Sequence, residues 1–133
     1  MRDCIFCKIA KGELPCYKIY EDKDFLGFLD INPTNSGQSL LIPKKHYRWA
    51  DDIPNFGAYF EAAKKIGLAI KKALKPMAVC YVTLGFQVHH AHIRIMPRFE
   101  NDGHEGELNF KLFKKISESE MKEIAEKIRK EMI

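Results

Sequence analysis

Residues 87–98 read Gln87-Val88-His89-His90-Ala91-His92-Ile93-Arg94-Ile95-Met96-Pro97-Arg98. Three of the five histidines in the chain fall within four positions here. The β-branched and apolar residues between them predict a strand over Gln87–Met96. Successive side chains of a strand point to opposite faces, so His90, His92 and Arg94 share one face while His89, Ala91, Ile93 and Ile95 share the other. Two imidazoles and a guanidinium make a poor core face, because each buried polar atom would need its own partner. They make a good surface for phosphate. An imidazole nitrogen can attack phosphorus, and a guanidinium can hold phosphoryl oxygens in a bidentate grip. The plainer alternative is a pair of hydrogen-bonded structural histidines beside a surface arginine.

Working outward, strand-like alternation covers Tyr17–Glu21 and Phe25–Asp30, with Glu21-Asp22-Lys23-Asp24 as the turn. Ser39–Pro43 is a short apolar run ending at a proline, and Val79–Leu84 is a further strand closed by Gly85. Between them the period changes. Phe56, Phe60, Ala63, Ile66, Ile70 and Leu74 recur at three- and four-residue steps, giving a helix that must stop before Pro76. Ser117 and Glu120 form a capping box ahead of a last helix striped by Met121, Ile124, Ala125 and Ile128. Strands, helix, strands, helix is the order of an α+β domain with an antiparallel sheet. No repeat, linker or low-complexity stretch divides residues 1–133, so a single domain is expected.

The 133 residues are 46% hydrophobic and 30% charged, an ordinary globular balance that excludes a disordered chain. No apolar run is long enough for a membrane span and no signal peptide precedes Asp3-Cys4, so no membrane partner and a cytoplasmic location are expected. The net charge of +4 comes largely from Lys71, Lys72 and Lys75 and from Lys111, Lys114 and Lys115. It suits a phosphate-bearing partner. Without stacking aromatics or a base-reading motif beside the lysines, nucleic acid is not the expected one.

Four cysteines are present, and Cys4 and Cys7 alone have metal or redox spacing. Cys16 and Cys80 read as small core residues. A thioredoxin-like site would want a βαβ context after its cysteines, and residues 8–30 do not supply one. Metal is therefore the better reading of Cys4 and Cys7, in a knuckle over residues 1–13 too short to fold alone.

Three segments taken together resemble the histidine-triad (HIT) superfamily. Cys4-Ile5-Phe6-Cys7-Lys8-Ile9 with Lys11-Gly12-Glu13 is similar to the N-terminal signature of its zinc-binding branch. Phe28-Leu29-Asp30-Ile31-Asn32-Pro33 and Leu40-Leu41-Ile42-Pro43-Lys44-Lys45-His46 continue it, and His90-x-His92-x-Arg94-Ile95-Met96-Pro97-Arg98 resembles the motif that names the family. The resemblance spans about residues 3–100 and implies a HIT-like fold: an antiparallel sheet of about five strands, one central helix and a C-terminal helix. It implies structural zinc on Cys4, Cys7, His46 and His90, although His89 and His104 are also available as nitrogen donors. It implies a nucleotide-phosphate hydrolase or nucleotidyl transferase acting at the α-phosphate, with His92 as nucleophile and Arg94 on the phosphoryl oxygens. Phe6, Phe28, Leu29, Asp30 and Ile31 would take base and ribose, and Gln87 would lie near the phosphate. A homodimer, paired through the central helix and an edge strand, is a further implication.

Three departures stand out. Arg94 replaces the third motif histidine, Gln38 replaces the histidine after Gly37, and the loop before the motif is shortened to Thr83-Leu84-Gly85-Phe86. They keep open an alternative in which the chain binds or senses nucleotides with little or no turnover. Residues 101–133, a C-terminal extension of the same domain, match no motif.

Overall fold

The computed structural model describes residues 3–132. A short helix α1 (Ile5–Ala10) leads into strands β1 (Lys18–Glu21), β2 (Phe25–Leu29) and β3 (Ser39–Pro43). A single 3-10 turn (Ala50–Asp52) precedes the long helix α2 (Phe56–Leu74). Strands β4 (Ala78–Val82) and β5 (Ile93–Arg98) and helix α3 (Glu118–Lys130) follow. The five strands form one antiparallel sheet, as expected, in the order β1-β2-β3-β5-β4. No helix among the described residues is long and apolar enough to cross a membrane.

Both faces of the sheet are covered, which explains why β2 is Phe-Leu-Gly-Phe-Leu with no polar residue. Phe25 and Leu29 point to the face packed by α2 and α3, where they join Leu41, Ile66, Ile70, Ile93, Ile95 and Ile128. Leu26 and Phe28 point the other way and meet Phe6 of α1, Leu40 and Ile42. Gly27 sits between them because Ile66 of α2 presses against that point, leaving no room for a Cβ.

The helix α2 is rotated from the stripe read in the sequence. Tyr59, Ala62, Ala63, Ile66, Ala69 and Ile70 are buried, while Phe56 is exposed. The Tyr59 hydroxyl donates to the Leu41 carbonyl at 2.8 Å, which draws that side of the helix inward. Lys75 ends α2 in the left-handed conformation, one residue before Pro76. Ser117 caps α3, accepting from the Glu120 N–H at 3.2 Å.

Two expectations need correction. The strand predicted over Gln87–Met96 begins only at Ile93, because β3 ends at Pro43, which has no N–H for a ladder. The Ala91 N–H turns instead to the Tyr47 carbonyl at 2.7 Å, and residues 86–92 run unpaired. Cys16 and Cys80 are half-buried rather than core residues; Cys16 lies at the margin of the Phe6–Phe28 cluster.

The segment after β5 is irregular yet tied down. Buried Asp102 accepts from Arg98 Nε (2.9 Å), Asn35 Nδ2 (2.8 Å), the Phe99 N–H (3.0 Å) and the His104 N–H (3.0 Å). Lys114, one of the lysines that make the net charge, turns inward and donates to Asn35 Oδ1 (3.1 Å) and the Asp102 carbonyl (2.7 Å). The Arg98 guanidinium, with these N–H donors, holds the Asp102 carboxyl well below the usual carboxylate range. Because its folded pKa is depressed, its stabilisation is complete above the unfolded pKa of about 4 and is lost as pH falls below it. We expect Asp102→Asn to lower unfolding free energy by about 2–3 kcal/mol at neutral pH. In denaturant titrations the gap to the natural chain should shrink as pH drops from about 5 towards 2.

Candidate functional site

The site is built on the sheet face that α1 covers. Cys4 caps α1, its Sγ accepting from the Cys7 N–H at 3.3 Å, so the capping turn itself aims both sulfurs inward. They meet His46, from the loop after β3, and His90, from the unpaired run before β5. Cys4 Sγ lies 3.3 Å from His90 Nδ1, Cys7 Sγ 3.2 Å from His46 Nδ1 and 3.5 Å from His90 Nδ1. All four donor atoms fall within 4.8 Å of one another. His90 is wholly buried, and its Nε2–H donates to the Pro43 carbonyl at 2.8 Å, which leaves the Nδ1 lone pair facing the sulfurs. Burial, with His46 and His92 nearby, pushes His90 down to about 4, so its ring is neutral at physiological pH.

The donor set fits zinc. Around a tetrahedral ion with Zn–S about 2.3 Å and Zn–N about 2.0–2.1 Å, neighbouring ligand atoms stand about 3.3–3.8 Å apart. The observed spacings are near that range. Burial pushes the Cys7 thiol up to about 11, and the Cys4 sulfur adds to the shift. A divalent cation would invert that preference and hold both sulfurs as thiolates. His89 is exposed and His104 lies in the Asp102 network, so neither reaches the cluster.

Two residues on, His92 emerges beside the cluster. Its Nδ1–H donates to the His90 carbonyl at 2.9 Å, which leaves the Nε2 lone pair free. Burial lowers its pKa; the His90 carbonyl opposes that, and the Arg94 charge adds to it. Phe6 packs edge-on against His92 at a centroid distance of 5.2 Å, and against Phe28 at 5.8 Å.

His92 lines a cleft of about 470 Å³, a size suited to a nucleotide. Phe6, Phe28, Leu29, Asp30, Ile31, Gln87 and Arg94 line it too, so one cleft gathers every residue assigned above to base, ribose and phosphate. Their environments differ. Leu29 is buried in the main core, whereas Ile31 is 65% exposed at the rim. Gln87 reaches the cleft because the run around Gln87 and Val88, which both line it, lies outside any strand and does not follow strand alternation. Asp30 is half-buried, with Oδ1 accepting from the Asn32 N–H (2.9 Å) and Oδ2 from Gln38 Nε2 (2.7 Å).

The sequence reading missed two members. Gln38 is buried, and its Oε1 accepts from both the N–H and the hydroxyl of Thr34, at 3.1 and 2.7 Å, which orients its amide towards Asp30. Its place after Gly37 marked it only as a departure. Phe110 closes the far end of the cleft against Arg94. No sequence signal could have placed it, since it comes from the irregular segment after β5.

Comparison with known proteins agrees with this geometry. Residues 11–101 match the HIT domain family. An uncharacterised HIT-like protein of Methanocaldococcus jannaschii is 41% identical over 106 residues, covering 75% of this chain and 82% of that protein. The adenylylsulfatase HINT3 of Arabidopsis thaliana is 40% identical over 107 residues, covering 75% of this chain and 54% of that protein. The crystal structure of a zinc-bound histidine triad family protein from Mycobacterium smegmatis superposes with a TM-score of 0.78 at 29% identity, covering 98% of this chain and 94% of that one. With a five-stranded antiparallel sheet, three helices and a HIT match over most of its length, this chain belongs to the HIT family.

Proposed function

We propose that the chain is a nucleotide-phosphate hydrolase or nucleotidyl transferase that works at the α-phosphate through a covalent nucleotidyl-histidine on His92. The observation that carries this reading is the tautomer of His92. With Nδ1–H fixed to the His90 carbonyl, Nε2 presents an unprotonated lone pair to the cleft. Nε2 attacks the α-phosphorus, the leaving group departs, and water or an acceptor then displaces the histidine. Arg94 neutralises charge on the phosphoryl oxygens. Phe6, Phe28 and Ile31 receive the base, Leu29 borders it with its main chain because its side chain lies in the core behind the sheet, Asp30 accepts from the ribose hydroxyls, and Gln87 reaches the phosphate. The name of the HINT3 relative, an adenylylsulfatase, supports hydrolysis of a nucleotide as the reaction class.

In the same reading Cys4, Cys7, His46 and His90 hold one structural zinc, for which the zinc-bound relative is a precedent. Cys4 and Cys7 of the α1 turn, His46 of the loop after β3 and His90 of the run before β5 would hold the ion, which would supply a structural cross-link that keeps Phe6 and His92 against each other. Residues 1–133 act as one domain, in which the irregular segment after β5 brings Phe110 to the far end of the cleft while α3 packs with α2 on the other face of the sheet. A homodimer is also proposed: β4 is a free edge of the sheet, its Tyr81 is exposed, and the adjoining turn of α2 exposes Leu68.

A second reading, nucleotide binding with little or no turnover, is favoured by Arg94 in the third motif position and by the short loop at Thr83–Phe86. Steady-state assays with adenylyl substrates separate the two. We expect nucleoside monophosphate to be released, and His92→Ala to lower kcat/KM at least about 10³-fold while nucleotide binding persists. Binding without product in the natural chain would instead establish the second reading.

Metal analysis tests the zinc assignment. About one zinc per chain is expected, and Cys4→Ser should release it and lower the unfolding temperature by roughly 10 °C or more. A metal-free natural chain that unfolds at the same temperature as the variant would contradict it.

A further inference from the structure

Resting on the nucleotidyl-histidine reading, we propose that Arg94 and Phe110 commit this site to substrates whose leaving group departs from the α-phosphorus as an oxyacid anion, a sulfate or a phosphate, in preference to an amine. The guanidinium of Arg94 stacks over the Phe110 ring, with Cζ 5.1 Å from the ring centroid. No carboxylate among the described residues forms an ion pair with it. Its Nε is buried without a hydrogen-bond partner, an orphan donor that is costly to leave unsatisfied. A stacked face and free N–H edges describe an arginine held ready for an anion. The stack is fixed from behind: the Asn109 N–H donates to His104 Nδ1 at 2.9 Å, and Lys114 holds the Asp102 carbonyl.

The ionisable groups lining the cleft among the described residues are Cys16, Asp30, His92 and Arg94. His92 must be neutral to attack. Asp30 is an acceptor for Gln38 and Asn32, and burial raises the Cys16 thiol. Arginine keeps its protons throughout physiological pH. With the Cys16 thiol only a weak proton donor, the cleft offers strong stabilisation of a departing negative charge and no general acid poised near neutral pH.

The bond changes follow. With an oxygen-linked leaving group, the Nε2 lone pair of His92 forms the N–P bond. The bridging P–O bond breaks, and its electron pair leaves on the oxygen of sulfate or of a terminal phosphate, which needs no proton. Water then attacks phosphorus, the N–P electron pair returns to His92, and one proton goes to solvent. The sum is substrate plus water giving nucleoside monophosphate, an oxyacid anion and a proton. With a phosphoramidate, the electron pair of the P–N bond would leave on nitrogen, and the amine must gain a proton as it departs. Nothing opposite His92 supplies that proton.

The test compares kcat/KM of the full chain on three probes: adenosine 5′-phosphosulfate, diadenosine tetraphosphate and adenosine 5′-phosphoramidate. One or both oxygen-linked probes should exceed the phosphoramidate by about 10²-fold or more, the better one identifying the anion as sulfate or phosphate. Arg94→His restores a titratable group, and should lower the better probe about 10²-fold and the phosphoramidate by clearly less, so that the preference collapses. Phe110→Leu, at a partly exposed site, should lower the better probe on the order of threefold and the phosphoramidate by less, so that the ratio of the two narrows. A phosphoramidate turned over as fast as the others, or a preference that Arg94→His leaves unaltered, overturns the proposal and leaves the nucleotidyl-histidine route standing. No turnover of any probe and no adduct on His92 overturns both.

Discussion

The two ring nitrogens of His90 face opposite ways, and most of the site depends on that. Nε2 is bound to the Pro43 carbonyl at the end of β3, and Nδ1 faces the sulfurs of Cys4 and Cys7 at the start of α1. A neutral imidazole with one nitrogen donating has the other free to accept, so the Pro43 bond determines what His90 offers the cysteines. The backbone of the same residue then fixes His92, whose Nδ1–H is bound to the His90 carbonyl. One buried residue thus sets the geometry of the metal-type cluster with its side chain and of the candidate nucleophile with its main chain.

That arrangement needs a sheet covered on both sides. The α2–α3 face supplies the larger core and makes the sheet rigid, while the α1 face holds the smaller cluster around Phe6. Phe6 belongs to both structure and site: it packs on Phe28 in the cluster and on His92 at the cleft. A side chain fixed by packing can hold a neighbouring ring within the narrow tolerance that reaction at phosphorus requires. The segment after β5 contributes in another way. Asp102, His104 and Lys114 replace regular hydrogen bonding with side-chain bonds to turn a loop into a wall, and Phe110 is carried on that wall to Arg94.

Elements with a regular period were legible in the sequence. The alternation of Ala91, Ile93 and Ile95 against His92 and Arg94 gave the inward and outward faces, and the Ser117–Glu120 capping box gave the start of α3. The spacing of Cys4 and Cys7 pointed to a metal, and the family resemblance supplied His46 and His90, which the structure brings together. What escaped depends on long-range partners. The strand start at Ile93 is set by Pro43 and Tyr47, some fifty residues earlier, and the orientation of α2 by a Tyr59 bond to β3. Gln38 was visible as an oddity after Gly37, but its bonds to Thr34 and Asp30 form only when the β2–β3 loop closes. Phe110 gave no signal, because hydrogen bonds from distant residues, not periodicity, determine its path.

The central claim is that His92 carries the nucleotide between the two half-reactions. Acid-free rapid quenching of the full chain with adenosine 5′-phosphosulfate, followed by peptide mapping by mass spectrometry, reads this directly. The account predicts a transient adenylyl mass increment on the peptide containing His92, localised to that residue and lost when water resolves the intermediate. Product formed at the same rate with no adduct on His92 at any time point, or an adduct on another residue, would contradict it.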